Sequence, residues 1–416
     1  MKRNELDKFE ISSLMNEAVL KAEEHMKFLH EVPEKAFDEH KTSAYIRKVC
    51  ESYCSDAGYS LDIIDIGMET GLVCFLDAGR DETIAFRADI DAVPTEQGPK
   101  HLCGHDAHAA TLLGAIHYLC NVNKNSSNAG AANVASSRDR GAAGESDDIT
   151  GLKYNVLFIF QPAEEGTRGA KALIEHGLFE KIPQKPIRIF GIHNRPEVNV
   201  GDVVVHRGAL MSEKSIYKVV FKGRPGHGAK PHKCIDPIPA AASFVEAVQT
   251  IISRNINPLH PAICTVNSIK AGDPDVPVAE TAVITGYIRS FNHDTHSMME
   301  ERIRTLAEGT AAEYRCEYEA EIIPMVPAVV NSDEMYELAF KAAEKAVGAE
   351  HIIDSEPDLA SEDFAIYGEI IPAFFYWVGS GEPGVESPSW HDENFRISDD
   401  YFKTAVALVA ACMTER

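Results

Sequence analysis

The sequence predicts an α/β protein: a mixed, mostly parallel sheet flanked by helices, with a second, smaller unit inserted into it. Three observations carry this expectation. Short apolar runs bounded by turn residues alternate with helical patterns through the first half of the chain, the signature of a sheet covered on both faces. A stretch beginning near Met211 has a different rhythm, with longer alternating strands and two helices. The length, 416 residues, exceeds what one hydrophobic core usually serves.

Taken in order, Ile11–Ser52 reads as a helix, a turn at Glu31-Val32-Pro33-Glu34, and a second helix. Strands are expected at Leu72–Leu76, Thr83–Phe86, Tyr154–Phe160 and Ile187–Ile192, with helices at Ala107–Tyr118 and Gly169–His176. Asn121–Thr150 is rich in Asn, Ser, Ala, Gly and Asp without apolar periodicity, and reads as a surface insertion. Beyond it, Tyr217–Phe221 predicts a strand, Pro237–Ile252 a helix, and Ala262–Ile269 and Thr281–Phe291 two strands. Thr295–Tyr314 then predicts a helix and Arg315–Ile323 a last strand, a β-α-β-β-α-β order of the ferredoxin-like kind. The remainder, Asp333–Arg416, reads as helix-rich. The expected division is therefore 1–210 with 324–416 as the larger, catalytic domain, and 211–323 as the insert.

Composition narrows the function. A formal net charge of -24 would repel a phosphate backbone, and no basic stripe offsets it, so a nucleic-acid partner is not expected. No run approaches the roughly 20 apolar residues of a membrane span, so no membrane partner is expected either. Met1–Leu14 is polar and charged, without the apolar core of a signal peptide. The nine cysteines are an odd number without framework spacing, as expected of a reducing, cytoplasmic setting.

Four segments bear chemistry. Cys103-Gly104-His105-Asp106-Ala107-His108 places a thiol and an imidazole on either side of a glycine that permits a sharp turn, just before a helix. Thiolate and neutral imidazole suit a borderline-soft divalent ion, although a buried thiol beside a capping Asp106 is also consistent with this segment alone. Gln161-Pro162-Ala163-Glu164-Glu165-Gly166 puts two carboxylates directly after an apolar strand, where open α/β sheets carry their sites. Adjacent side chains diverge, so one can hold a metal while the other works as acid or base; an exposed acidic helix start is the plainer alternative. His193 follows the apolar run Ile187–Ile192, and His391 follows the Gly-, Pro- and Ser-rich stretch 379–389. Either could be an ordinary loop histidine.

Together these residues resemble the aminoacylase and amidohydrolase branch of the M20 metallopeptidase family, which includes hippurate hydrolases, auxin-conjugate hydrolases and N-acyl-amino-acid deacylases. The resemblance covers nearly the whole chain. It runs from His30-Glu31-Val32-Pro33-Glu34 through Arg87-Ala88-Asp89-Ile90-Asp91-Ala92-Val93-Pro94, Cys103-Gly104-His105-Asp106 and Gln161-Pro162-Ala163-Glu164-Glu165-Gly166. It continues through Gly226-His227, Pro231-His232, Asp236-Pro237 and Ser361-Glu362-Asp363-Phe364 to His391. The resemblance implies that Cys103, His105, Glu165, His193 and His391 ligate two divalent ions, zinc or manganese, with cobalt or nickel as further options. It implies that Glu164 is the general base that activates the attacking water and then protonates the leaving nitrogen, and that Asp91 orients the site.

For the insert, the resemblance implies a lid that also forms a homodimer. His227 would polarise the substrate carbonyl in the neighbouring subunit's site, and Arg289 would grip the substrate carboxylate through its planar guanidinium; His232 would shape the loop. Two departures stand out. Val276-Pro277-Val278-Ala279 replaces the family's Asn-Val-Ile-Pro, and only Thr95–Leu102 separates Pro94 from Cys103, where relatives carry a longer loop. The expected activity is hydrolysis of an N-acyl-amino acid or similar conjugate, with a dipeptidase- or carboxypeptidase-type exopeptidase as the alternative. A cysteine hydrolase using Cys103 with His105 or His108 as base, or an inactive metal-binding protein, would be readings from other classes.

Overall fold

The computed structural model describes residues 13–56, 60–133, 152–273 and 275–415. The polar N-terminal segment up to Ser12 and residues 134–150 of the Asn121–Thr150 stretch therefore lie outside the described residues. The chain separates into two compact units: residues 1–208, 331–355 and 366–416 form the larger, and residues 209–330 and 356–365 the smaller.

The larger unit is built on an eight-stranded mixed sheet. Its strands run in the order Ser60–Ile64, Leu72–Asp77, Asn155–Gln161, Thr83–Asp89, Arg188–Asn199, Ala373–Gly381, Val203–Val204 and Ile352–Ile353. The middle four, from Asn155–Gln161 to Ala373–Gly381, are mutually parallel, while Leu72–Asp77 and Val203–Val204 join them antiparallel on the two sides. Thr83–Asp89, Asn155–Gln161 and Ala373–Gly381 are buried at every position, as expected of parallel strands covered on both faces.

Helices close the core. Ser13–His30 buries Ala18, Val19, Ala22, His25 and Leu29, one stripe at helical spacing. It packs with His105–Asn133 and Tyr401–Cys412 in one apolar cluster with the sheet. Asp333–Val347 starts where Ser332 accepts the Met335 N–H and ends at Gly348 with φ +84°. No described helix is long and apolar enough to cross a membrane.

Three expectations need correction. The helix starting at His105 runs on to Asn133, into the stretch read as an irregular insertion. Once nucleated in its buried first half, a helix lengthens at little cost even through residues without periodicity. The C-terminal part contains the central strand Ala373–Gly381 among its helices; its Phe374-Phe375-Tyr376-Trp377-Val378 run is the aromatic signal of a strand. The strand ending in the apolar run Ile187–Ile192 extends to Asn199, so His193 lies within it.

In the smaller unit, four antiparallel strands lie in the order Ala262–Ala271, Thr281–Ser290, Glu213–Lys222 and Glu317–Val326. Buried and less buried positions alternate along Glu213–Lys222 and Thr281–Ser290, so one face carries the core. Helices Pro237–Val248 and His293–Tyr314 cover that face. Asp236 caps the first with Pro237 behind it, and the Asn292 side chain caps the second by accepting the Thr295 N–H. Residues 356–365 belong here because the backbone of Asp358 and Ala360 bonds Leu210 and Ser212.

Candidate metal centre and active site

The site forms at the carboxyl ends of three adjacent parallel strands. Thr83–Asp89 delivers Asp89 and then Asp91; Asn155–Gln161 delivers Glu164 and Glu165; Arg188–Asn199 carries His193 just beyond Gly191, where its pairing with Thr83–Asp89 stops. The parallel partner continues, pairing His193 with Trp377. Polar side chains gather where neighbouring strands part, the usual location of sites in such sheets.

Cys103 and His105 come from the turn before the long helix. Gly104 between them adopts φ +89°, and a Cβ there would meet the Asn194 Nδ2 at 2.3 Å, so only glycine fits. Asp91 organises the next layer: its Oδ1 accepts the Glu164 N–H at 3.0 Å and its Oδ2 the Glu165 N–H at 3.1 Å. The same residue takes the His105 Nδ1–H, at its carbonyl (3.0 Å) and its Oδ1 (3.2 Å). Ala163, just before the carboxylate pair, has φ +59°, a strained value for a residue with a Cβ. Its N–H is held by Glu39 Oε1 at 2.9 Å.

The donor atoms converge. His105 Nε2 lies 3.9 Å from Glu165 Oε1 and 3.9 Å from Glu164 Oε2. His391 Nε2 is 3.4 Å from Glu165 Oε1, and Cys103 Sγ is 3.6 Å from His193 Nε2. Cys103, His105 and Glu165 form one group able to hold an ion, and Asp89, His105, His108 and His193 form a second. His105 Nε2 and Glu165 Oε1 are buried without a hydrogen-bond partner. Two such atoms aimed at one another at non-bonding distance are what a shared cation would satisfy.

The electrostatics agree. Burial alone would lower the His105 pKa, but Asp89, Cys103 and the Asp91 hydrogen bond hold it well above the usual imidazole range. Burial likewise opposes ionisation of Glu165, yet His391 and His105 keep its carboxyl below the usual value. Burial, and then the neighbouring His108, push the His193 imidazole well below its usual range, which keeps it neutral as a metal ligand must be. Burial pushes the Cys103 thiol up to about 12, with His105 only partly offsetting it. That is opposite in direction to the lowered pKa of an activated cysteine nucleophile.

Of the residues singled out from sequence, Cys103, His105, Glu164, Glu165, His193, His391 and Asp91 are brought together in the larger unit. His227 and Arg289 belong to the smaller unit. His227 is exposed on a loop, its Nδ1 accepting the Ala229 N–H at 3.1 Å. Arg289, in Thr281–Ser290, donates from Nη1 to the Leu359 carbonyl at 2.6 Å, while its Nε is buried without a partner. The short stretch before Cys103 folds into the hairpin Val93–Thr95 with Gly98–Lys100.

Sequence reasoning missed a buried layer beneath the donors. Arg87 Nη1 donates to Asp89 Oδ2 at 2.7 Å, and His108 Nδ1 donates to Asp89 Oδ1 at 2.6 Å. Burial would raise the Asp89 carboxyl, but His105, His108 and Arg87 hold it well below its usual range. The signal was present in Asp89, which shares a motif with Asp91, and in His108, which shares one with Cys103 and His105.

An α/β unit that gathers thiol, imidazole and carboxylate donors at the ends of its central parallel strands, with a smaller β-rich unit inserted, defines a metal-dependent hydrolase. The chain belongs to peptidase family M20/M25/M40, whose profile matches residues 143–415. It is 32% identical over 390 residues to an N-acetylcysteine deacetylase of Bacillus subtilis, covering 91% of this chain and 92% of that protein. It is 31% identical over 374 residues to an N-acetyldiaminopimelate deacetylase of Streptococcus sanguinis, covering 85% and 89%. Among solved structures, a dinuclear metal-binding peptidase of family M20 from Bacillus subtilis superposes with a TM-score of 0.74 at 28% identity, over 96% of this chain and 98% of that one.

Proposed function

We propose that this protein is a metal-dependent amidohydrolase that releases an amino acid from an N-acyl-amino acid. The observation that carries the reading is the convergence of Cys103, His105, Glu165, His193 and His391, with His105 Nε2 and Glu165 Oε1 buried without a hydrogen-bond partner. The deacetylase relatives, similar over most of their length, supply the substrate class.

Two divalent ions held by these five residues would polarise the scissile carbonyl and acidify the attacking water. Glu164, with its N–H fixed on Asp91, takes the water's proton and delivers it to the departing nitrogen. Asp91 keeps the His105 proton on Nδ1, leaving Nε2 free to bind. His227 is read as the donor to the developing oxyanion in the neighbouring subunit's site, and Arg289 as the carboxylate clamp.

The smaller unit is read as a ferredoxin-like lid through which two chains pair, with residues 211–323 as its sequence core; its strand order and two covering helices support this. The setting is read as cytoplasmic. The test of substrate class is release of free amino acid from N-acetyl and N-benzoyl amino acids and from dipeptides. Preference for the acylated amino acids supports the amidohydrolase reading, and cleavage of dipeptides alone supports the exopeptidase.

A further inference from the structure

Asn194 is fully buried, and its polar atoms reach three of the chain segments that supply candidate ligands. Its Nδ2 donates to the Cys103 carbonyl at 2.5 Å. Its backbone carbonyl accepts the His193 Nδ1–H at 2.8 Å. The Trp390 Nε1–H, next to His391 in the chain, lies 3.2 Å from that carbonyl and 3.3 Å from Asn194 Oδ1. The Asn194 backbone N–H and Nδ2 both point at His108 Nε2, at 3.0 and 3.1 Å. Because His108 gives its Nδ1 proton to Asp89, its Nε2 can only accept.

We propose that the Asn194 side chain is a positioning group that holds the Cys103 turn through Nδ2 and the Trp390–His391 segment through Oδ1, and through them sets the affinity and geometry of the metal centre. The inference rests on the metal centre proposed above. A buried asparagine needs partners for its amide wherever it lies, but here the partners are the ligand residues and their immediate neighbours. The bond from His193 Nδ1 to the backbone carbonyl of residue 194 fixes that ring's tautomer whatever side chain stands there, so its Nε2 lone pair faces Cys103 Sγ at 3.6 Å, and the side chain's own share is the Cys103 and Trp390 bonds. The glycine required at 104 gives the amide room to approach the Cys103 turn.

The His391 segment is also tied by Trp390 and Phe395, which pack against Val93, Leu102 and Cys103. His391 is itself strained at φ +67°, and its N–H bonds the Leu102 carbonyl at 2.8 Å. Trp390 holds the segment from its other side. Its ring lies edge-on to His193 at 5.0 Å, and Arg195 lies 4.6 Å from it and 4.4 Å from Trp377. Asn194 thus joins a ligand that arrives late in the chain to two that arrive early.

The test uses the full chain, stripped of metal and titrated with zinc against a chromogenic chelator, and in parallel with cobalt, whose absorption reports thiolate ligation. Asn194→Ala is expected to weaken zinc binding about 10- to 100-fold, the range for residues that support metal ligands, and to alter the cobalt–thiolate band. Trp390→Phe keeps the packing but loses the indole N–H, and is expected to weaken binding by a smaller factor. Asn194→Asp, which keeps Oδ1 but sets a carboxylate oxygen against the Cys103 carbonyl and the His108 Nε2 lone pair, is expected to disturb the cobalt spectrum at least as much as Asn194→Ala. Wild-type zinc affinity and cobalt spectrum in Asn194→Ala overturn the inference; if that variant does not fold, wild-type affinity in Trp390→Phe does so. A wild-type chain that binds no zinc overturns the metal centre itself, whereas a wild type that binds two ions beside indistinguishable variants overturns only the role of Asn194.

Discussion

Asp91 receives the Nδ1–H of His105 at two acceptors, its backbone carbonyl at 3.0 Å and its carboxylate Oδ1 at 3.2 Å. The same carboxylate takes the backbone N–H groups of Glu164 and Glu165. One side chain therefore fixes a candidate ligand, the proposed base and a second candidate ligand. Asp91→Ala is expected to lower metal affinity about 10- to 100-fold and to lower kcat as well. Chelator competition on the purified variant measures the first, and activity at saturating metal the second.

Glu164 separates binding from chemistry. Glu164→Gln removes the proton acceptor and keeps the N–H that Asp91 holds. The variant should retain wild-type metal content while kcat falls about 100- to 10,000-fold. Metal analysis and steady-state kinetics on the same preparation check both parts.

Glu39 gives a pH prediction. Burial first, and then the Asp91 carboxylate, raise its pKa from 4.5 to about 7, although the Phe37 backbone opposes the shift. The folded state therefore binds the proton more tightly than the unfolded chain does. The resulting stability is fully present below about pH 4.5 and is lost as pH rises through about 7. Glu39→Gln keeps an acceptor for the Ala163 and Phe37 N–H groups but carries no charge. It should raise the melting temperature at pH 8, by an amount corresponding to at most about 3 kcal/mol, and leave it nearly unchanged at pH 5. Thermal denaturation of both proteins across that range is the measurement.

Arg289 tests the substrate clamp. Its Nη1 is tied to the Leu359 carbonyl and its Nε is buried and unpartnered. Arg289→Met should raise KM for N-acetyl amino acids about 10- to 100-fold, the equivalent of losing a charged hydrogen bond, with a smaller change in kcat. The corresponding N-acetyl amino acid amides, which lack the carboxylate, should be nearly insensitive to the substitution.

Much of this architecture is legible in the chain, and the gaps have physical causes. The strands Thr83–Asp89 and Asn155–Gln161 announce themselves as continuous apolar runs because both their faces are buried. Ala373–Gly381 is as buried, yet it sits among helices and follows a segment rich in turn residues, so its context hides it. His193 reads as the end of a strand because apolar character stops at Ile192, while backbone pairing with Ala373–Gly381 continues past it. The donor residues are recognisable from their types and local spacing. Arg87, Asp89 and His108 stand in the quoted motifs, but their mutual bonds and the Asn194 contacts are not legible, because a hydrogen bond leaves no periodic trace in the sequence.

The most direct measurement is to strip the wild-type chain and Glu164→Ala of metal, titrate zinc or manganese back, and follow both bound metal and amino acid released from an N-acetyl amino acid. The account predicts that both proteins bind two ions per chain, and that only the wild type gains activity as the ions bind. Full release by the metal-free protein, or by Glu164→Ala, would contradict it.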